Sequence, residues 1–193
     1  MPKTKNTVIL VLGSPGAGKT TLINSLPKRP NTKVINIGTL MEHEAAAEAV
    51  TRDRLRYLST NKIRALRRKA FKRIGAMSGT IIVDTHATVE KGNKFIFGLP
   101  IKDLHYMGKI SGIIYVDATP DELVKRRLAD TVRKRENDDL EVLNLQRQIN
   151  LAVMSAYGSE FDIPVYILHN KENKLEKSIE DFSKFVTDIL ENT

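Results

Sequence analysis

An apolar run, Val8-Ile9-Leu10-Val11-Leu12, empties into Gly13-Ser14-Pro15-Gly16-Ala17-Gly18 and then into Lys19-Thr20-Thr21. No other stretch constrains the chain as much. The continuous β-branched run reads as a parallel strand covered on both faces. The glycines let backbone N–H groups close around an anion, and the residues that follow open a helix whose first N–H groups have no partner within it. The spacing Gly13-x-x-x-x-Gly18-Lys19-Thr20 is that of a loop that cradles nucleotide phosphates, lined by Gly13, Ser14, Pro15, Gly16, Ala17, Gly18, Lys19, Thr20 and Thr21. Lys19 is placed to reach the β and γ phosphates, and the Thr20 hydroxyl to bind Mg²⁺.

At 193 residues, 41% of them hydrophobic, the chain suits one domain with one sizeable core. It has no cysteine, which excludes disulfides, cysteine-ligated zinc and thiol catalysis. The first seven residues do not form a signal peptide, and no apolar run approaches the roughly 18 to 20 residues needed to cross a bilayer, so a soluble cytoplasmic protein is expected. The formal charge of +8 is unevenly spread. Residues 52–73 hold ten Lys or Arg against the single acid Asp53, and the remainder carries 21 basic and 22 acidic residues. The chain is thus a near-neutral domain with one strongly basic helical stretch.

Beyond the loop, patterning predicts a helix over 18–26 and a strand over 33–37. Thr39 then reads as the N-cap of a helix over 40–49, with Glu42 in the capping-box position. Ser59-Thr60-Asn61 precedes a basic helix over 62–77 whose Ile63, Leu66, Ala70, Phe71 and Ile74 form a packing face. Arg64, Arg67, Arg68, Lys69, Lys72 and Arg73 are expected largely off that face. A buried strand over 80–84 ends in Asp84. An acid at the end of a strand neighbouring the phosphate loop faces the Mg²⁺ shell in enzymes with such loops, which places Asp84 near Thr20. A strand over 111–117 is followed by Thr119 as N-cap and Pro120 at the first helical position. Residues 131–139 are charged without apolar periodicity and read as an exposed segment. A long helix over 140–158, a strand over 164–168 and an amphipathic helix over 174–191 complete an α/β fold with five parallel strands and right-handed crossovers.

A phosphate loop does not by itself choose among motors, GTPases and small-molecule kinases. A GTPase is disfavoured because Asn170-Lys171-Glu172-Asn173 lacks the aspartate that reads guanine. The arginines say more. Arg52 and Arg56 are candidates to hold a phosphorylated acceptor, and Arg126, Arg133 and Arg135 to close over a transferring phosphoryl group.

Together with the phosphate loop, Gly38-Thr39 with Met41, Arg52-Asp53-Arg54-Leu55-Arg56, Val83-Asp84-Thr85-His86, Gly98-Leu99-Pro100 and the run from Arg126 to Arg135 follow one another as in the archaeal-type adenylate kinases. The resemblance covers nearly the whole chain. Asp-Thr-His after the third strand, combined with Arg-x-x-x-Asp-x-x-Arg-x-Arg after the fourth, is its most specific part.

The resemblance implies a three-layer fold with the five-stranded sheet, monophosphate-binding helices over 38–78 and a short lid over 127–140. It implies reversible transfer from MgATP to AMP giving two ADP, with Mg²⁺ as cofactor and a homotrimeric assembly. The roles it implies are Lys19 on the phosphates, Thr20 on Mg²⁺, Asp84 on the metal through water, Arg56 on the AMP phosphate, and Arg126, Arg133 and Arg135 at the transferring group. Gly38, Thr39 and His86 would line the monophosphate side. Glu136 and His169-Asn170 depart from the family's usual pattern. Two alternatives stay open at this level: a kinase for another nucleoside monophosphate, and an ATP-regulated RNA or ribosome-associated protein using the basic helix. Against the second, that helix offers only Phe71 for stacking.

Overall fold

Strand β1, Asn6–Leu12, is apolar at five consecutive positions because it is covered twice. Val8, Leu10 and Leu12 point into one core, while Ile9 and Val11 point into the other. The structure, a computed structural model, describes residues 6–45, 58–91, 94–129 and 139–192. After β1 come α1 (Lys19–Ser25), β2 (Thr32–Asn36), α2 (Ile37–Glu44), α3 (Thr60–Gly75), β3 (Gly79–Asp84) and a hairpin of β4 (Thr88–Glu90) with β5 (Phe95–Phe97). A short α4 (Ile101–Leu104) and a single 3₁₀ turn lead to β6 (Lys109–Asp117), α5 (Pro120–Ala129), α6 (Leu140–Phe161), β7 (Val165–His169) and α7 (Leu175–Glu191).

The main sheet has the order β2-β3-β1-β6-β7, and every neighbouring pair is parallel. From the central β1 the chain crosses to the edge strand β2, comes back to β3 between the two, and then passes to the other side of β1 to add β6 and β7. Strand order therefore reverses beside β1. The crevice above the carboxyl ends of such strands is where open α/β sheets bind ligands, and the loop 13–18 opens there.

Helices α2, α3 and α6 cover one face of the sheet, burying Leu40, Leu66, Phe71, Ile74, Met154 and Tyr157 against Leu10, Val83 and Ile113. On the other face α1 and α7 pack Leu22, Phe182, Val186 and Ile189 against Ile9, Ile82 and Ile114. Phe71 and Phe182 are fully buried, and truncating either to alanine costs about 3–5 kcal/mol. The five expected strands form the main sheet. The β4–β5 hairpin, a separate antiparallel pair, is an addition that three-residue strands do not announce.

Capping explains where the helices begin. Thr119 and Glu122 satisfy each other's backbone N–H groups before α5: the Glu122 amide donates to the Thr119 hydroxyl at 3.3 Å, and the Thr119 amide to the Glu122 carboxylate at 2.9 Å. Asp139 accepts from the amides of Glu141 and Val142 to start α6. The expected start of α2 is corrected. That helix begins at Ile37, inside what reads as a strand, and its N-cap is Asn36, which accepts from the Thr39 amide at 3.2 Å. Thr39 is thereby drawn into the first turn. The expected continuation over residues 46–49 lies outside the described residues.

A second correction concerns α3. Arg67 does not point away from the packed side: it is 8% exposed, and its guanidinium donates to the carbonyls of Phe97 and Gly98 at 2.9 and 3.1 Å. Burial lowers its pKa. Arg68 pairs with buried Asp103 at 2.8 Å, Arg73 with Glu44 at 3.1 Å, and the Lys72 ammonium sits 5.1 Å above the Tyr106 ring. Several of the charges that make this helix basic are spent on fastening it to the hairpin, α2 and the 3₁₀ turn. No described helix is long and apolar enough to cross a membrane.

Candidate active site

The loop between β1 and α1 is held by glycines that nothing else replaces. Gly13 has φ 155°, and a Cβ there would lie 2.4 Å from the Val116 carbonyl oxygen of β6; Gly18 has φ 93°, and a Cβ would lie 2.4 Å from Asn170 Nδ2. Both positive φ values and both contacts exclude a side chain. Lys19, only 6% exposed, folds back so that Nζ donates to the carbonyls of Gly13 and Ser14 at 3.0 and 3.2 Å. Its charge is thus held over the mouth of the loop. Thr20 and Thr21 are exposed on the first turn of α1, where their hydroxyls are accessible to a ligand.

Asp84, at the carboxyl end of β3, is 8% exposed. One oxygen, Oδ2, accepts from Asn36 Nδ2 at 3.0 Å, and the other, Oδ1, is buried without a hydrogen-bond partner. A buried carboxylate oxygen left in this state costs free energy and calls for an explanation. A hydrated cation is a fitting one, since Mg²⁺ takes oxygen donors and keeps several of its waters.

His86, two residues beyond Asp84, brings Nδ1 to 3.3 Å from Lys19 Nζ and 3.1 Å from the Gly13 carbonyl. The imidazole accepts from the lysine in one tautomer and donates to the carbonyl in the other. It therefore stands against the phosphate loop itself. Gly38 and Thr39 lie in the first turn of α2, immediately beyond Asn36.

On the other side of the loop, Arg126 donates to the carbonyls of Ala17 and Asn170 at 3.3 and 2.6 Å. Its guanidinium contacts loop backbone, so the structure places it at the base of the phosphate loop. Arg127, which motif reading passes over, is 8% exposed and grips the Pro15 carbonyl through Nε and a terminal nitrogen at 3.1 and 3.0 Å. Asn170 completes the support by donating to the Ala17 carbonyl at 2.7 Å. Arg56, Arg133 and Arg135 lie outside the described residues, as do Arg52 and most of the 127–140 segment.

Two polar clusters brace this end of the sheet. Asp117, 2% exposed at the end of β6, receives both arms of Arg147 at 2.7 Å and lies 3.0 Å from His169 Nδ1. Burial alone would raise this carboxyl, yet the bonds from Arg147 and His169 hold it below the usual carboxylate range. The second cluster is fully internal. Thr88 donates to Asn150 Oδ1 at 2.7 Å, Asn150 Nδ2 reaches Ser14 Oγ and the Tyr115 hydroxyl at 3.4 Å each, and Gln146 donates to the Thr88 carbonyl at 3.1 Å. Helix α6 is thereby tied to the phosphate loop and to the segment that carries His86. Sequence reasoning missed Asn36, Arg127, Gln146 and Asn150. A signal existed for the last two: Gln146 and Asn150 are polar residues four apart, on one face of a helix with apolar neighbours.

The family described as AAA domain matches residues 12–144. The chain is 35% identical to an adenylate kinase of Methanoculleus marisnigri, over 90% of this chain and 94% of that protein, and 32% identical to an adenylate kinase of Pyrococcus furiosus, over 93% and 94%. An adenylate kinase of Thermoplasma acidophilum is 32% identical over 92% of this chain and 97% of its own length. Among solved structures, a shikimate kinase from Bacteroides thetaiotaomicron superposes with a TM-score of 0.54, covering 96% of this chain and 98% of that one at 18% identity, a likeness of fold alone. With the loop, the buried lysine and the strand-end carboxylate in these positions, and with relatives of this identity along almost their whole length, the chain belongs to the adenylate kinase family.

Proposed function

We propose that the chain catalyses reversible phosphoryl transfer from MgATP to AMP, giving two ADP. The observation that carries this reading is the facing arrangement at the sheet's switch point. Lys19 opens α1 just beyond β1 and folds over the phosphate loop, the unpartnered Asp84 oxygen ends the neighbouring strand β3, and His86 stands against the lysine. Phosphoryl transfer asks the protein for positioning and charge rather than covalent chemistry.

In this reading the loop's N–H groups and Lys19 hold the donor's phosphates. Lys19 exchanges its bonds to the Gly13 and Ser14 carbonyls for bonds to phosphate oxygens, so its charge arrives without crossing the site. Thr20, together with water-mediated contact from Asp84, would hold Mg²⁺, which when bound neutralises charge on the donor's β and γ phosphates. Arg56 would take the acceptor phosphate, with Gly38, Thr39 and His86 lining that side. Arg126, Arg133 and Arg135 would serve the transferring group. For Arg126 this means leaving the carbonyls it now holds.

The 38–78 region as the acceptor arm and 127–140 as a lid that excludes water are part of the same proposal. So is a homotrimer, which light scattering of the purified protein tests. The internal pairing of Arg67, Arg68 and Arg73 removes support from a nucleic-acid reading of α3.

The test is direct. Purified protein with MgATP and, separately, AMP, UMP, CMP or GMP should form diphosphate fastest with AMP. Formation with none of them refutes kinase activity, and a preference for another acceptor refutes the assignment of AMP.

A further inference from the structure

Asn36 stands where β2 ends and α2 begins, with its Cα in parallel register opposite that of Asp84. Its one amide group does two separate things. The oxygen accepts from the Thr39 amide at 3.2 Å and starts the helix that carries Gly38 and Thr39. The nitrogen donates to Asp84 Oδ2 at 3.0 Å. Fixing that oxygen fixes the rotation of the carboxylate, and its partner Oδ1 is then presented, buried and unpaired. Serine, threonine or aspartate would cap α2 as well as asparagine does. Asparagine carries its acceptor and its N–H donor on two separate atoms, so it caps the helix through one while holding Asp84 through the other, where a hydroxyl would have to serve both from a single oxygen.

We infer that Asn36 is a positioning residue that ties the acceptor-side helix α2 to the orientation of the Asp84 carboxylate, and through it to the hydrated Mg²⁺ that accompanies ATP. The inference rests on the phosphoryl-transfer reading above. It assigns Asn36 no contact with substrate. Its effect passes through Asp84, as outer partners of metal-site carboxylates commonly act, with losses of about 10–100-fold when they are removed.

The experiment compares Asn36→Ser, Asn36→Asp and Asn36→Ala with the parent full-length chain by three measurements. These are the melting temperature, steady-state turnover, and calorimetric binding of a non-hydrolysable ATP analogue across a Mg²⁺ titration. Asn36→Ser keeps the cap, so it should melt within about 3 °C of the parent. It should nevertheless lose about tenfold in kcat, need about fivefold more Mg²⁺ for half of the Mg²⁺-dependent gain in analogue affinity, and change the KM for ATP less than twofold. Asn36→Asp keeps the cap and sets a second carboxylate against Asp84, and should shift the Mg²⁺ requirement at least as far. Asn36→Ala should melt lower and show the same Mg²⁺ shift as Asn36→Ser.

A parent-like Mg²⁺ requirement in both the serine and aspartate variants overturns the inference. So does a Mg²⁺ shift confined to the alanine variant, which would mark Asn36 as a helix cap and nothing more. The Mg²⁺ titration needs no acceptor. A parent that makes no ADP from AMP therefore sinks the functional reading while the titration still judges Asn36.

Discussion

The phosphate loop and helix α3 both invite a reading from their cations, and they reward it very differently. In the loop, a single lysine at a fixed distance from three glycines points to one chemistry. The structure puts that lysine over the loop's own carbonyls, beside His86. In α3, seven Lys or Arg residues from 62 to 73 suggest a surface seeking an anionic partner. Yet Arg67 is buried under the hairpin, Arg68 and Arg73 have their own carboxylates, and Lys72 lies over a ring. A charge placed by a local motif keeps its meaning, because the motif's geometry is local. A charge counted along a helix does not, because what it meets is chosen by elements far away in sequence.

The sharpest way to break this comparison is at Lys19. Lys19→Met should remove turnover by two orders of magnitude or more, a barrier increase of about 3 kcal/mol, with a nearly unchanged melting curve. Turnover within threefold of the parent would strip the loop lysine of its role and put it on the same footing as the α3 cations.

On the α3 side, Arg67→Ala should cost about 3 kcal/mol of stability. It leaves the Phe97 and Gly98 carbonyls without their donor and opens a cavity under the hairpin. Chemical denaturation measures it, and a loss below about 0.5 kcal/mol would return Arg67 to the surface charges.

Next in size is the brace at the end of β6. Asp117→Asn should destabilise by about 2 kcal/mol at pH 7, less than a fully buried pair because Arg147 still reaches water. The sign in pH is fixed by the depressed carboxyl. Its contribution is complete above the unfolded value of about 3.9 and is lost as pH falls through the lower folded value. Parent and variant melting temperatures should therefore converge in acid, and a gap that stays constant from pH 7 to pH 3 would contradict the assignment.

The smallest effect sharpens the contrast within α3 itself. Arg64 and Lys69 are exposed, and replacing both with glutamine should change stability by less than about 0.5 kcal/mol and leave turnover as it was. If this pair and Arg67→Ala have equal effects, exposure does not sort the cations of this helix.

By itself the sequence determined the strand, loop and helix around Lys19, the five parallel strands, the acid that ends β3, and the start of α5 at Thr119. Each is encoded by neighbours within a few residues, through side-chain alternation, capping chemistry and glycine backbone freedom. Only the tertiary structure decided which polar groups meet. Asn36 reaches Asp84 across the neighbouring parallel strands β2 and β3, 48 positions away in sequence. Arg127 reaches Pro15, Asn150 reaches Ser14, and Arg67 leaves its expected face for the Gly98 carbonyl. The physical reason is common to all of them. A buried donor or acceptor must find a partner wherever the fold supplies one, and the packing of the sheet against its helices supplies it from positions that no local pattern links.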